Sequence, residues 1–553
     1  MEYRHPFAAM IPLPERWLRV ITWAAFALPF VVYWWHILRY APNTPFQDDF
    51  DIALGTVDRF LAADGIGAKL GTIWERTNDH RLVMVKLVAL AQYGLLGHVD
   101  FRQLIVLSSA GWTAAFVVLM GRTKILGLGL PWLVPLPYIW FSFAQERIMF
   151  FGVGSQLHHW GVCLALLMLS LLVQRRTRWA TASATLAAFT AGAGGLLAPV
   201  GIAFLASRRW WKGLLVFGPV ACASALLAHV SYSEVLYHPS PRDALASVEA
   251  TMVFFFRSFG SLVHAHDIEV PLGILCAGGL LFYVARRAGS PFFRLAAIFI
   301  FVLMTALAMA RATFGEIPIA SRYSIISLLA WSLLYVFVIN GEREKPHGAR
   351  TLLVAWVVAG VYFGGLVLKE NVNQTFARNY TARVACLAAL VPGRTTAGLS
   401  EIQPGPAYAE EVLVRARDTG VFDYRTANRL QSVDPVRIET LQASREYRGY
   451  IDGYDGQHIV GWAAIVGVRS SDARIFALLE SGGQVYRIPS FPVRRADVSQ
   501  AMGTQFGYDW AGFEAFFAAY EITAGSYRVG VYVESPAGSA MKWTELRYER
   551  ARS

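Results

Sequence analysis

The chain has 553 residues, of which 55% are hydrophobic, 14% aromatic and only 16% charged, and its mean hydropathy is +0.40. Soluble globular proteins carry about 25% charged residues, so a string of soluble domains is excluded, as are disorder, collagen-like repeats and a secreted disulfide scaffold. The formal charge of +11 is uneven: residues 396–553 hold 17 Lys+Arg against 19 Asp+Glu, a net −2, which leaves +13 on the apolar remainder. There the excess reads as topology signal and lipid-phosphate contact, and no basic run is long enough for nucleic acid.

In chain order, Arg4, Arg16 and Arg19 precede an apolar, Trp-rich run over 20–37. No small-x-small cleavage site closes that run, so it reads as an uncleaved first transmembrane helix with its start in the cytoplasm. Further spans are expected at 103–120, 126–143, 157–173, 178–191, 194–206, 212–231, 270–286, 294–310, 321–340 and 350–369, about 11 transmembrane helices in all. Basic clusters at Arg122/Lys124, Arg175/Arg176/Arg178, Arg208/Arg209/Lys212, Arg286/Arg287/Arg294 and Arg343/Lys345/Arg350 mark the cytoplasmic loops. The alternating loops, including a long first loop over 40–102, are then external.

Two segments depart from simple spans. Residues 80–97 are apolar enough to cross, but a crossing there would invert every later basic cluster. They read instead as an interfacial helix on the outer face, with Arg81 and Lys86 suited to that position. The pair 178–191 and 194–206 is short and meets at a Gly-rich turn, which suggests a hairpin whose tip reaches a cavity within the membrane. Cys163, Cys222, Cys276 and Cys386 are scattered, without metal-ligand spacing, and read as small buried hydrophobes. The transmembrane domain thus occupies 1–370. Residues 371–445 read as an external linker with helical segments. Residues 446–553, with short Val/Ile/Tyr/Phe runs and an ESGGQ hairpin turn, read as a small external all-β, sandwich-like domain.

The first external loop opens on Gln47-Asp48-Asp49-Phe50-Asp51. Clustered carboxylates at a membrane exit are electrostatically expensive. One of them can serve as general base on a sugar hydroxyl. A second can orient it or hold a divalent cation, Mg or Mn, at Asp49/Asp51. The loop continues to Asn78-Asp79-His80-Arg81, where His80 and Arg81 begin the interfacial helix and suit an anionic phosphate. A second external loop carries Gln145, Glu146, Arg147, Gln156, His158 and His159, side chains able to line a cavity and bind hydroxyls. The adjacent histidines point in different directions on a helix and make a poor metal pair. His264-Ala-His266-Asp267 reads as a solvated loop. Arg311 and Arg322, with Tyr323 beside the latter, bracket a short external loop where the charge rule disfavours arginine. A lipid phosphate or pyrophosphate supplies the reason for them.

These residues together resemble the GT-C class of membrane glycosyltransferases. The resemblance rests on Gln47-Asp48-Asp49-Phe50 after the first span, on Asn78-Asp79-His80-Arg81 before an interfacial helix, and on Arg311 with Ser321-Arg322-Tyr323. It covers roughly residues 15–370. Asp49-Phe50-Asp51 has Asp-x-Asp spacing, whereas Asp48-Asp49 is the adjacent-pair variant, so metal use is left open. In the tail, Asp452-Gly453, Ile459 to Ala463, Arg495-Ala496-Asp497-Val498 and Gly512-Phe513 resemble a β-domain found on bacterial glycosyltransferases. The resemblance implies an enzyme of the bacterial cytoplasmic membrane with a periplasmic site. It would move a sugar, with inversion, from a polyprenyl-phosphate donor to a cell-envelope glycan or glycolipid acceptor. Asp48 or Asp49 would be the base, with the donor phosphate on Arg311, Arg322, His80 and Arg81. Asp51, Gln145, Glu146, Arg147, Gln156, His158 and Tyr323 would contact substrate. Two rivals are a polymerase or ligase of lipid-linked oligosaccharides and a transporter or flippase without catalysis. The transporter predicts midplane charges and paired halves, but the polar clusters gather at one face.

Overall fold

In lipid every backbone N–H and C=O has to find a partner within the protein, so apolar runs fold as helices. The computed structural model describes residues 14–77, 81–229, 247–263, 266–286, 290–311, 323–345, 347–368, 403, 405–422, 434–454, 458–493, 495–504, 507–517 and 522–550. They form two compact units, a helical one within 1–372 and a C-terminal one chiefly from 373 onward.

The helical unit begins with α1 (Glu15–Tyr40), followed by α2 (Thr56–Ala62), α3 (Gly65–Trp74), α4 (Val83–Leu96) and α5 (Phe101–Thr123). Three short pieces come next, α6 (Leu130–Leu133), α7 (Pro135–Trp140) and α8 (Glu146–Met149). The rest is α9 (Gly152–Val173), α10 (Thr177–Ala188), α11 (Leu197–Ser207), α12 (Trp211–His229), α13 (Val248–Gly260), α14 (His266–Ala285), α15 (Pro291–Arg311), α16 (Ser324–Glu342) and α17 (Gly348–Leu368). Among the described residues eight helices are long and apolar enough to cross a membrane: α1, α5, α9, α12, α14, α15, α16 and α17.

The expected count of about 11 is not confirmed: among the described residues eight helices are continuous spans, and the other expected spans are broken or short for physical reasons. Over 126–143, Pro131, Pro135 and Pro137 interrupt the ladder and leave α6 and α7 as separate short turns. The segment still has to cross. α5 and α9 run parallel, because Gly152 lies against Phe101 at one end while the Arg122 guanidinium bonds Ser170 at the other. Residues 124–151 return between those ends. The 178–191 and 194–206 stretches become α10 and α11, of 12 and 11 residues, joined by a tight turn over Gly192–Leu196. Each is too short for a bilayer of about 30 Å. α4 has 14 residues, also short of a span.

Basic and acidic features separate along α9, whose 22 residues rise about 33 Å. At the Ser170 end Arg175 lies over Trp210, Arg122 over Phe292, and the Arg343 guanidinium bonds the carbonyl of Leu126. The opposite end holds the start of the first loop. Cys163 and Cys276 are buried as expected, Cys222 faces outward, and Cys386 lies outside the described residues.

α13 and α14 approach closely through glycine. A Cβ on Gly260 would collide with the carbonyl of Glu269, and one on Gly273 with the carbonyl of Phe256. The pair in turn supports α16, since the carbonyl of Phe259 accepts from Ser327 and Trp331.

Among its described residues the C-terminal unit contains α18 (Pro406–Asp418), α19 (Ala496–Ala501) and eight strands: β1 (Asp434–Arg437), β2 (Tyr447–Tyr454), β3 (His458–Ile465), β4 (Arg474–Ser481), β5 (Gln484–Val493), β6 (Gly512–Phe516), β7 (Gly525–Ser535) and β8 (Gly538–Arg550). All pairings are antiparallel. One group is β1-β5-β4-β7-β8 and the other β2-β3-β6-β5, so β5 passes from one to the other. It pairs with β4 as far as Pro489 and with β6 from Ser490. Strand β1 lies in the stretch read as linker, so the sheet begins at Asp434. The ESGGQ turn is a hairpin with Gly482 and Gly483 at φ 58° and 85°, a conformation matched to strand twist that glycine adopts freely. Ile459, Ala477, Leu479, Ile488, Phe513, Val529 and Val531 fill the core, while Trp462 packs on Val498, Tyr508 and Ala511. The two motif halves noted in the tail meet: Arg495 forks onto Asp497 at 2.8 Å and Asp452 at 2.5 Å.

Alanine at Gly260 or Gly273 should destabilise the protein by about 1–3 kcal/mol through overpacking. Alanine at Gly278, which faces open space, should leave it unchanged. Thermal melts of the purified chain in detergent distinguish the two cases.

Candidate functional site

The first loop folds back on itself directly after α1. The N–H of Asp49 donates to the carbonyl of Phe46, and the N–H of Phe46 donates to Asp49 Oδ2, both at 3.0 Å. Gln47 takes a left-handed conformation, φ 46°, uncommon for a residue with a side chain. A short π-helical turn, Phe50–Gly55, then leads into α2. Such turns recur at functional sites.

This turn sorts the carboxylates. Asp49 is fully buried, whereas Asp48 and Asp51 are half-exposed. Asp49 Oδ1 accepts the N–H of Val153 at 2.6 Å, and the Gly152 N–H also bonds the carboxyl. The carboxyl thus sits on the start of α9 and satisfies amides that have no partner within the helix. A side chain on Gly152 would press against both carboxyl oxygens and Phe101. Burial pushes Asp49 up to about 8, outweighing the N–H donors that favour its charged form; the neighbouring Asp48 charge adds to the rise. Asp49 is therefore a cap rather than an accessible base, and Asp48 is the carboxylate of the adjacent pair that reaches solvent. Around the cation site considered at Asp49/Asp51, no three His, Cys, Asp or Glu side chains cluster among the described residues.

Six residues, about 9 Å of helix rise, separate Gly152 from His158, which lines a cavity of about 240 Å³. The hairpin tip Ala191–Gly194 forms its floor, with Leu303 and Leu307 of α15 and Ile325 and Ile326 of α16 as apolar walls. Arg311 and Tyr323 join His158 as its polar groups. His229 holds the tip in place, its ring lying between the carbonyls of Ala225 and Gly192. The expected hairpin and its cavity are thus present.

His159 points the other way, toward α5. Its Nδ1 meets the carbonyl of Ser108 at 3.1 Å, its Nε2 meets Gln145 at 3.2 Å, and its ring stacks on Trp112. A carbonyl requires Nδ1 to carry the proton. The Gln145 atom that faces Nε2 is its side-chain oxygen, Oε1. Gln145 and Gln156 are both buried, and each has an Nε2 without a hydrogen-bond partner among the described residues. They sit in the packed interior beside the cavity rather than in an open loop.

Arg81 does not reach the cavity by any described contact. It donates to the carbonyl of Leu227 at 2.9 Å and lies over the Trp74 ring, while its neighbour Leu82 lines the cavity. Glu146 is half-exposed. His80, Arg322 and the side chain of Arg147 lie outside the described residues. Lys86, expected to suit an interfacial position, is instead fully buried within the protein, and its Nζ caps α3 through the carbonyls of Thr72 (3.2 Å) and Glu75 (2.6 Å). Burial, with the Arg59 charge, lowers it to about 8. Its signal was a lone cation within an otherwise apolar helix.

No protein-family model matches this chain, and neither a curated protein nor a solved structure does.

The cap has a pH signature. Above pH of about 4 the unfolded chain ionises this carboxyl while the folded chain keeps its proton. The stabilising contribution is therefore complete at low pH, declines as pH rises, and is lost above about 8. Melting temperatures should fall with pH more steeply in the native protein than in Asp49→Asn. That variant should itself be less stable by about 1–3 kcal/mol, because an amide NH₂ replaces one of two accepting oxygens. Asp48→Asn should melt normally.

Proposed function

We propose that the chain is a GT-C-type membrane glycosyltransferase. It would move a sugar from a polyprenyl-phosphate donor to a glycan or glycolipid acceptor on the periplasmic face of a bacterial cytoplasmic membrane. The observation that carries this reading is the cavity that combines apolar walls with Arg311, His158 and Tyr323, at the same end of α9 as the acidic turn. An isoprenoid needs such walls, and its phosphate needs a cation beside them, a place that Arg311 takes in the cavity lining. Arg311 is a forked donor for that phosphate.

In the reaction, the acceptor hydroxyl oxygen attacks the anomeric carbon from the face opposite the phosphate. The bond from that carbon to the phosphate oxygen breaks, and polyprenyl phosphate leaves with the bonding electrons. The hydroxyl proton passes to Asp48, the half-exposed carboxylate of the pair. Arg311 stabilises the charge that grows on the leaving phosphate. Asp49 acts as a positioning residue, fixing the Asp48 turn against α9. This assignment needs one half-exposed carboxylate and no general acid.

A transporter reading draws on the buried Gln145, Gln156 and His159, polar groups inside a membrane-spanning bundle. The two readings separate in one assay. Asp48→Asn should retain its melting temperature and lose sugar transfer by about 10²-fold or more. Arg311→Gln should weaken donor use, read as a raised KM for the polyprenyl-phosphate sugar. Full transfer by well-expressed Asp48→Asn would sink the enzymatic assignment.

A further inference from the structure

The basic end of the helical unit holds a second feature, independent of the cavity. Residues 147–233 contain seven Lys and Arg and no Asp or Glu. Four of these cations, Arg175, Arg176, Arg178 and Lys212, line one open groove of about 460 Å³ together with Trp179 and Trp210. Among the described residues none of the four has an ion-pair partner. Arg175 makes only a face contact with Trp210, at 5.7 Å. The charge of Arg176 also reaches Arg122, so the local excess is larger than the groove alone.

Two matching turns build this arrangement. α9 and α11 each end with an N–H reaching five residues back, Arg176 to Leu171 at 2.9 Å and Trp210 to Leu205 at 3.0 Å. Each turn has an arginine in the left-handed conformation, Arg175 at φ 60° and Arg209 at φ 53°, where glycine is the usual choice. Both turns lead directly into the next helix, α10 and α12. The potential at a helix start is already positive, so cations there repel unless an anion is present. Arg176, at the start of α10, makes no side-chain cap bond.

We infer that this groove binds the phosphodiester headgroup of an acidic phospholipid. The Arg176 and Arg178 guanidinium groups hold the phosphate as forks, and Lys212 adds a point charge. The acyl chains run along apolar side chains that the same helices leave uncovered, Trp179 (70% exposed), Trp211 (59%) and Leu215 (76%). The source is the bilayer, because the groove lies at the ends of membrane-length helices beside that apolar surface. Basic residues mark this end as cytoplasmic, where the leaflet is anionic.

The test uses the purified full-length chain in nonionic detergent, with melting followed by tryptophan fluorescence. Phosphatidylglycerol, phosphatidylcholine and inorganic phosphate are titrated separately. Phosphatidylglycerol should raise the melting temperature saturably, while the other two should not. R176Q/R178Q/K212Q should shift the half-saturating concentration upward by at least about tenfold. R286Q should leave it unchanged, since Arg286 belongs to the same end but lies over Phe282, outside the groove. Equal effects of the two lipids, an undiminished response in the triple variant, or full replacement by inorganic phosphate would each overturn the inference. If the neutral variant fails to insert, R176K/R178K decides. It keeps the topology charge but loses the forks, so weaker binding supports the site and unchanged binding rejects it.

Discussion

The helical unit is organised around one carboxyl group seated on the first amides of α9. Asp49 joins the end of the first span to a helix that begins about a hundred residues later, and it does so through the backbone N–H of Val153 rather than through another side chain. Because α9 packs along α5, and because Asp100 caps α5 through the Gln103 N–H, two parallel helices start at the same level, each under its own carboxylate. Everything that faces the cavity inherits its register from this level. His158 turns toward the hairpin and His159 toward Ser108 because the start of α9 cannot slip against the loop that caps it.

The second organising constraint is the absence of water to satisfy irregular backbone. Where the helices break, protein groups take up the freed carbonyls. The Tyr335 hydroxyl donates to the carbonyl of Trp132, the Trp356 indole to that of Pro131, and the Trp112 indole to that of Trp140. The proline-broken return between α5 and α9 is held by aromatic donors from α5, α16 and α17. The loop helices follow the same rule with a cation: Lys86 serves the last carbonyls of α3. These are polar side chains with structural duties, which is why so few of the polar residues near the site remain for a substrate.

Long spans were legible in the sequence because bilayer thickness sets a minimum apolar length, and the basic loops sorted to one end because side-chain charge obeys a simple rule. The hairpin at Ala191–Gly194 was legible from its length and glycines. The broken crossing was not, since hydropathy scores Pro131, Pro135 and Pro137 by their polarity and ignores the missing N–H. Within the acidic motif the sequence set Asp48, Asp49 and Asp51 close together but could not rank them by burial. The difference between Asp48 and Asp49 lies in a left-handed Gln47 and in amides more than a hundred positions away. The same limit applies to Lys86, whose partners are carbonyls and therefore have no residue signature. In the C-terminal unit, the motif halves around Asp452 and Arg495 could be seen separately, but only the fold joins them as an ion pair.

The α10–α11 hairpin has a consequence for how the protein is made. Arms of 12 and 11 residues rise about 18 Å and 16 Å, against a hydrocarbon core of about 30 Å. Neither arm can leave the insertion machinery as an independent span. The pair has to enter as a single folded unit, sheltered by α9 already in place, and it is secured only when α12 arrives with His229 to receive Gly192. The cavity floor is therefore completed late in biogenesis, after the chain on both sides of it has been threaded.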